Sequence, residues 1–214
     1  MRLAFAPMAL FAISIAHGAT PIDGWYTSAF GGYTYLPNNI NLPYNGLSFS
    51  SATYDESYDA GGNVGYKSTP MRYEGEITYL NANLNSFKIN NVAQTNVSGR
   101  SNALFAMANV YYDFPNLQNL LQPFVGGGIG YGWLNAKLNS DDPSPLGATA
   151  FSGSDTKFAY QATAGLTYNF SENYALNIGY RYLASVHTDE LGKSFQANLA
   201  NIGATYRFNE GHYK

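Results

Sequence analysis

From Trp25 onward, side chains change character every second residue over stretches of about ten, and polar, turn-rich stretches separate them. A period of two puts successive side chains on opposite faces of an extended strand. The clearest stretch is Met71 to Asn81. There Tyr73, Gly75, Ile77 and Tyr79 share one parity, and Arg72, Glu74, Glu76 and Thr78 share the other. The pattern predicts further strands over Tyr58 to Lys67, Asn102 to Phe114, Gln122 to Ala136, Phe158 to Phe170, Tyr174 to about Val186, and Phe195 to Phe208. A strand over Trp25 to Leu36 completes the set, although its aromatics fall on both parities and leave its faces undecided.

In the strand from Asn102, Leu104, Ala106, Ala108, Val110, Tyr112 and Phe114 form the apolar face. Asn109, Tyr111 and Asp113 oppose them, together with Ala103, Phe105 and Met107, which are less polar than that face requires. The strand from Gln122 sets Val125, Gly127, Ile129, Tyr131 and Trp133 against a row of glycines, Gly126, Gly128, Gly130 and Gly132. Such a row leaves room for long side chains arriving from neighbouring strands.

The connections alternate in length. Pro37–Ser57, Ala82–Arg100 and Lys137–Lys157 read as long polar loops, and His187–Ser194 as a shorter one. Ser68–Pro70, Pro115–Leu120 and Ser171–Asn173 read as tight turns. Eight strands with short turns at one end and long loops at the other are the pattern of an outer-membrane barrel, whose closure satisfies every backbone group in lipid. The expected fold is therefore all-β: an eight-stranded antiparallel transmembrane β-barrel, an up-and-down meander. A soluble barrel is the rival, but it would bury its large apolar residues and expose its charges. Here the charges share a face with the glycines.

Composition sharpens this. Only 12% of the 214 residues are charged, against about 25% in an ordinary soluble domain. Nineteen tyrosines take up part of that surface, and their apolar rings with polar tips suit a membrane interface. A net charge of −3 supplies no basic surplus for nucleic acid, and the absence of cysteine excludes disulfides and thiolate metal sites. Met1 and Arg2 precede an apolar run, Leu3 to Ala16, followed by small residues. That reads as a signal peptide over residues 1–19, cleaved between about 16 and 19. The barrel is then expected over 20–208, with 209–214 as a short periplasmic tail.

The candidate site is the polar face. Arg72, Glu74, Glu76, Asp113, Arg181 and Arg207 fall on inward positions, and buried charges need partners. A packed ion-pair network is the expected arrangement, and a pore lined by these groups is the alternative. Paired Glu74 and Glu76 would suit acid–base work, but a closed interior gives a substrate little access. A lipid-modifying outer-membrane enzyme is the third reading, and His187 with Ser185 or Ser194 is the one trace of the Ser–His site it would need; Asp141 with Asp142 lacks calcium-loop spacing. No enzyme activity, metal or cofactor is therefore expected.

Several segments resemble a known group. Arg72-Tyr73-Glu74-Gly75-Glu76-Ile77-Thr78-Tyr79 is similar to the third strand of small outer-membrane β-barrels of the opacity-type surface antigens and of the OmpA-class barrel domain. Pro123-Phe124-Val125-Gly126-Gly127-Gly128-Ile129-Gly130 resembles their fifth strand, Phe158 to Leu166 the sixth and Asn177 to Tyr182 the seventh. The resemblance implies a surface protein of the bacterial outer membrane with a structural or adhesin-like role carried by extracellular loops, or else a small porin. It implies contact with outer-membrane lipids and lipopolysaccharide, periplasmic chaperones and the barrel-assembly machinery during biogenesis, and a host or extracellular ligand at the loops. A monomer is the default for a barrel that closes on itself. One departure is that Asn209–Lys214 follow Phe208, the aromatic on which such a last strand ends.

Overall fold

In the computed structural model, residues 21–37, 41–44, 47–54, 57–89, 92–93, 97–117, 121–140, 149–186 and 195–208 are described. The expected signal peptide, the tail, His187, Ser194, His212, Asp141 and Asp142 lie outside them. The strands, in chain order, are β1 (Gly24–Tyr35), β2 (Asn41–Tyr44), β3 (Leu47–Tyr54), β4 (Ser57–Ser68), β5 (Met71–Ile89), β6 (Val92–Ala93), β7 (Val97–Asp113), β8 (Leu121–Ser140), β9 (Thr149–Asn169), β10 (Tyr174–Ser185) and β11 (Gln196–Arg207).

Eight of these close an antiparallel barrel in the order β1-β4-β5-β7-β8-β9-β10-β11 and back to β1. The seam pairs Tyr26 with Arg207 at one end and Tyr35 with Asn198 at the other. Between β5 and β7 the ladder runs from Met71↔Tyr112 to Asn83↔Arg100. Both ends of the described barrel, Gly24 and Arg207, lie at the end that carries the short turns.

The outer surface is apolar and graded. Val64, Ile77, Ile129, Ile178 and Ile202 are each more than half exposed and form a mid-height aliphatic band. Aromatics flank it on both sides. Tyr33, Tyr35, Tyr58, Tyr131 and Trp133 stand towards the loop end, and Trp25, Tyr66, Tyr73, Tyr112 and Phe114 towards the turn end. On the turn side, rings meet in an unbroken run, Tyr168–Phe170–Tyr174–Tyr206–Phe208, with centroids 5.0–6.5 Å apart. An aliphatic belt between two aromatic girdles is what a strand needs to cross lipid and meet headgroups at both faces.

One expectation is corrected and two open points are settled. The long polar stretches are not plain loops: β2 and β3 lie within 37–57, β5 and β7 reach into 82–100, and β8 and β9 reach into 137–157. Backbone pairing continues there, from Val97↔Ser140 through Ser140↔Thr149, because a ladder can extend in water without the alternation that marks a membrane segment. The undecided faces of the first strand resolve. Trp25, Tyr33 and Tyr35 are exposed, Tyr26 and Thr34 are buried, and Phe30 faces an internal cavity. The apolar inward residues of β7 also acquire a reason. Phe105 and Met107 join Leu80, Ala103, Leu134, Ala159, Leu183, Ala197 and Leu199 in a hydrophobic layer that fills the lumen towards the loop end.

Candidate functional site

The lumen is polar beside that apolar cluster, where Asp59 stands in register with Leu80, Thr78 with Phe105 and Arg181 with Leu199, and it stays polar down to the turn end. β4 supplies Asp59 and Lys67, β5 supplies Arg72, Glu74, Glu76 and Thr78, β7 supplies Asn109 and Asp113, β10 supplies Arg181 and β11 supplies Arg207. Each is on the inward parity of its strand. The glycines of β8 make this packing possible. A side-chain carbon at Gly126 would strike Tyr111, one at Gly128 would strike Asn109, and one at Gly130 would strike Met107. Long residues of β7 thus lie over a strand that has no side chains of its own at those points.

The charges form two groups. Nearer the turns, Lys67 pairs with Asp113. Arg72 donates from Nε to Asp113 Oδ1 at 2.8 Å and from Nη1 to Glu74 Oε1 at 3.1 Å. The Tyr26 hydroxyl donates to the same Glu74 oxygen at 2.5 Å. The Arg72 guanidinium also packs against two rings, 4.9 Å from the centroid of Tyr111 and 4.8 Å from that of Phe124. Arg207 is held otherwise, donating to Asn169 Oδ1 at 2.7 Å and to the Glu172 carbonyl at 3.3 Å.

At mid-height, Arg181 donates from Nη1 to Glu76 Oε1 at 2.5 Å and to Thr78 Oγ1 at 3.2 Å, and lies 4.8 Å from the Phe30 ring centroid. Glu76 also accepts from Thr78 Oγ1 at 2.8 Å and from Asn109 Nδ2 at 3.1 Å, and Asn109 Oδ1 accepts from Gln161 Nε2 at 2.7 Å. Asp59 accepts from Thr34 Oγ1 at 2.8 Å and from Asn201 Nδ2.

These links join strands that are not neighbours in the ladder: β10 to β5, β4 to β7, β1 to β5, β11 to β4 and β9 to β7. They therefore hold the wall from within, where backbone bonds do not reach. Four carboxylates (Asp59, Glu74, Glu76, Asp113) face four cations (Lys67, Arg72, Arg181, Arg207), so this set of eight is formally neutral. Such a set resists desolvation only because the members neutralise one another.

All six residues singled out from the sequence lie in this lumen. Glu74 and Glu76 do not act as a pair, since each has its own arginine. Asp59, Lys67 and Tyr26 were missed. The first two share the parity of Gly61, Asn63 and Gly65, so the same alternation marks them; Tyr26 belonged to the strand whose faces the pattern left open. Ser185 is buried, with its hydroxyl donating to the Val186 carbonyl and accepting from the Phe195 amide, each at 3.1 Å. Its oxygen is thus committed to closing the end of β10. Among the described residues, no cluster of three or more His, Asp or Glu is placed to hold a metal.

A family model described as outer membrane protein beta-barrel domain matches residues 3–208. An outer membrane protein of Gluconacetobacter diazotrophicus is 29% identical over 198 residues, covering 85% of this chain and 52% of the relative. The chain thus spans about half that relative's length. Among solved structures, Neisserial surface protein A superposes with a TM-score of 0.57 at 17% identity, covering 86% of this chain and 97% of that one. Pseudomonas aeruginosa OprG does so with a TM-score of 0.56 at 14% identity, covering 88% and 98%. At these identities the structural likeness speaks to the fold. The expectation that the chain is not an enzyme is corrected by a further neighbour. The outer membrane enzyme PagL is matched with a TM-score of 0.45 at 14% identity, over 86% of this chain and 99% of that one. The flat exclusion of enzyme activity is not kept, and the match assigns no activity to this chain.

Proposed function

Because the chain belongs to the outer membrane protein beta-barrel domain family, we propose that it is a surface protein of the bacterial outer membrane whose barrel anchors an extracellular binding surface. The observation that carries this reading is strand length. A tilted strand crosses the bilayer in about 9–11 residues, yet β5, β7, β8 and β9 run for 19, 17, 20 and 21 residues. The excess lies at the loop end, where the β2–β3 hairpin pairs onto β5. A scaffold with ordered projections presents residues to a partner more firmly than a loose loop does. The role is adhesin-like or antigenic. Lipids and lipopolysaccharide bind the aromatic belt, and periplasmic chaperones and the assembly machinery act during biogenesis. Residues 1–19 are removed on export, and 209–214 remain in the periplasm.

The test uses whole cells displaying the full chain and a variant in which residues 38–56 are replaced by a short turn. Adherence to surfaces coated with extracellular-matrix proteins is compared, with heat-modifiable gel mobility as the check on barrel folding. Loss of adherence with an intact barrel supports the reading. Equal adherence of the two strains, or none by either, overturns it for this hairpin.

A small pore is the second reading, favoured by an internal cavity of about 60 Å³ beside Arg72, Glu74 and Arg181. The apolar layer above it weighs against conduction, since hydrophobic constrictions exclude water and ions. Conductance steps in a planar bilayer, with ion selectivity altered by Glu74→Gln, would establish the pore.

A further inference from the structure

The short turns of the barrel differ in chemistry. The β4–β5 turn is Ser68, Thr69 and Pro70, and the Asp23 carboxylate accepts from the Thr69 amide at 3.1 Å and from its hydroxyl at 2.7 Å. The β9–β10 turn carries Ser171, Glu172 and Asn173. There Ser171 Oγ accepts from the Tyr174 amide at 2.9 Å, and Asn173 Nδ2 donates to the Arg207 carbonyl at 2.9 Å. Both turns are polar, and each has a carboxylate. The β7–β8 turn is apolar. Phe114, Leu117 and Leu121 are 40%, 57% and 39% exposed, and no Asp, Glu, Lys or Arg occurs from Phe114 to Ala136. Grouped exposed apolar side chains mark an interaction surface. We propose that this turn is a membrane anchor, lying in the turn-side leaflet with Leu117 and Leu121 among phospholipid acyl chains.

Continuity with the lipid-facing wall selects the occupant. Leu121 is at the outward parity of β8, with Val125, Ile129 and Trp133, and it pairs with Tyr168 at one end of the aromatic run. Phe114 meets Tyr112 of the girdle edge-on, with centroids 5.1 Å apart. The hairpin thus extends the lipid-facing surface past the rim at which Met71 pairs with Tyr112. A protein interface is bordered by a polar rim, but the next outward residues of β8 after Leu121 are Pro123 and Val125. Backbone groups enter lipid only when they are satisfied within the protein. Leu117 and Leu121 exchange amide-to-carbonyl bonds of 2.7 and 3.3 Å, and the Phe114 amide donates to the Pro123 carbonyl at 2.9 Å. Gln122 Nε2 donates to the Phe114 carbonyl at 3.3 Å, and Pro115 brings no amide hydrogen.

The anchor stands beneath the projecting wall. It joins β7 and β8, which run for 17 and 20 residues and carry part of the excess length at the loop end. The other two turns, with Asp23 and Glu172, stay in water. The barrel is therefore held deeper in the turn-side leaflet on its β7–β8 side, and this sets the tilt at which the projecting strands leave the membrane.

The chain has no cysteine, so one fluorophore can be placed at a time. Full-chain Leu117→Cys, Ile129→Cys and Glu172→Cys are labelled with a polarity-sensitive dye and refolded into phosphatidylcholine vesicles, with heat-modifiable mobility as the folding check. Quenching by a nitroxide-bearing phospholipid is compared with quenching by aqueous iodide. If Leu117→Cys does not fold, Leu121→Cys carries the same comparison. The anchor predicts that the label at 117 behaves like that at 129: it is quenched by the nitroxide lipid and loses the iodide quenching seen at 172. Iodide quenching at 117 as strong as at 172 overturns the inference. Protection of 117 from both quenchers overturns it too, because protein, such as a second copy of the chain, then covers the turn. The inference rests on the membrane reading of the barrel, which position 129 tests separately. A label at 129 that is open to iodide overturns that reading and the anchor with it.

Discussion

The Arg181–Glu76 pair offers the sharpest test of the lumen network. Arg181→Met keeps an unbranched apolar chain of similar reach against Phe30 but removes the guanidinium. Glu76, whose side chain is fully buried, then keeps only Thr78 Oγ1 and Asn109 Nδ2 as donors. Breaking one side of a buried pair costs about 3–5 kcal/mol, mostly as the penalty of the charge left behind. The lost contact with the Phe30 ring adds about 0.5–2 kcal/mol. Urea unfolding in lipid vesicles, followed by the fluorescence of Trp25 near the turns and Trp133 near the loops, reports both ends of the barrel. The diagnostic experiment is the second substitution. Glu76→Gln alone leaves Arg181 without its carboxylate and destabilises the protein. In the Arg181→Met background it removes the stranded charge while keeping an acceptor for Thr78 and Asn109, and it recovers about 2 kcal/mol or more. The reasoning is refuted if Arg181→Met costs less than about 1 kcal/mol, or if Glu76→Gln is destabilising in both backgrounds.

Phe105→Ala hollows the apolar layer and is expected to cost about 3–5 kcal/mol; if that layer is the seal, the variant conducts in planar bilayers at times when the wild type is silent. Ile129→Arg places a charge in the middle of the aliphatic band, where Ile129 is 59% exposed, and is expected to cost about 2–4 kcal/mol in vesicles. A soluble barrel would tolerate the same change, so an unaffected Ile129→Arg would argue against the membrane assignment. Gly128→Val drives a side chain into Asn109 and the Ala108 carbonyl and is expected to abolish folding, read as loss of heat-modifiable gel mobility.

How far the sequence reveals this molecule depends on which physical constraint acts at each place. Within the membrane, a period of two is enforced by lipid on one side and a narrow polar lumen on the other, so parity alone assigns Arg72, Glu74, Glu76, Asp113, Arg181 and Arg207 to the inside. Above the membrane both faces of a strand meet water, the alternation loses its cause, and stretches such as 82–89 and 149–157 read as loops although their backbones are paired. Partners are a different matter. Parity places Arg181 inward but not against Glu76, more than a hundred residues earlier, because that contact depends on the stagger of eight strands around the barrel.

The least legible feature was the inward trio Ala103, Phe105 and Met107, whose apolar character contradicted the polar lumen that their own strand predicts below them. The contradiction follows from dividing the lumen by height. Near the turns, every strand contributes polar groups. Towards the loops, Leu80 from β5, Leu134 from β8, Leu183 from β10 and Leu199 from β11 meet the trio at one level. A single strand cannot show this, because one or two apolar inward residues are noise within it. Taken across strands at matching register, they recur at the same height: Leu80 opposite Ala103, Ala103 opposite Leu134, and Leu183 opposite Ala197. The inward face thus carries a second code, read around the barrel rather than along the chain. It gathers the apolar inward residues towards the loop end and leaves the ion pairs of Lys67, Arg72, Glu74 and Asp113 nearer the turns.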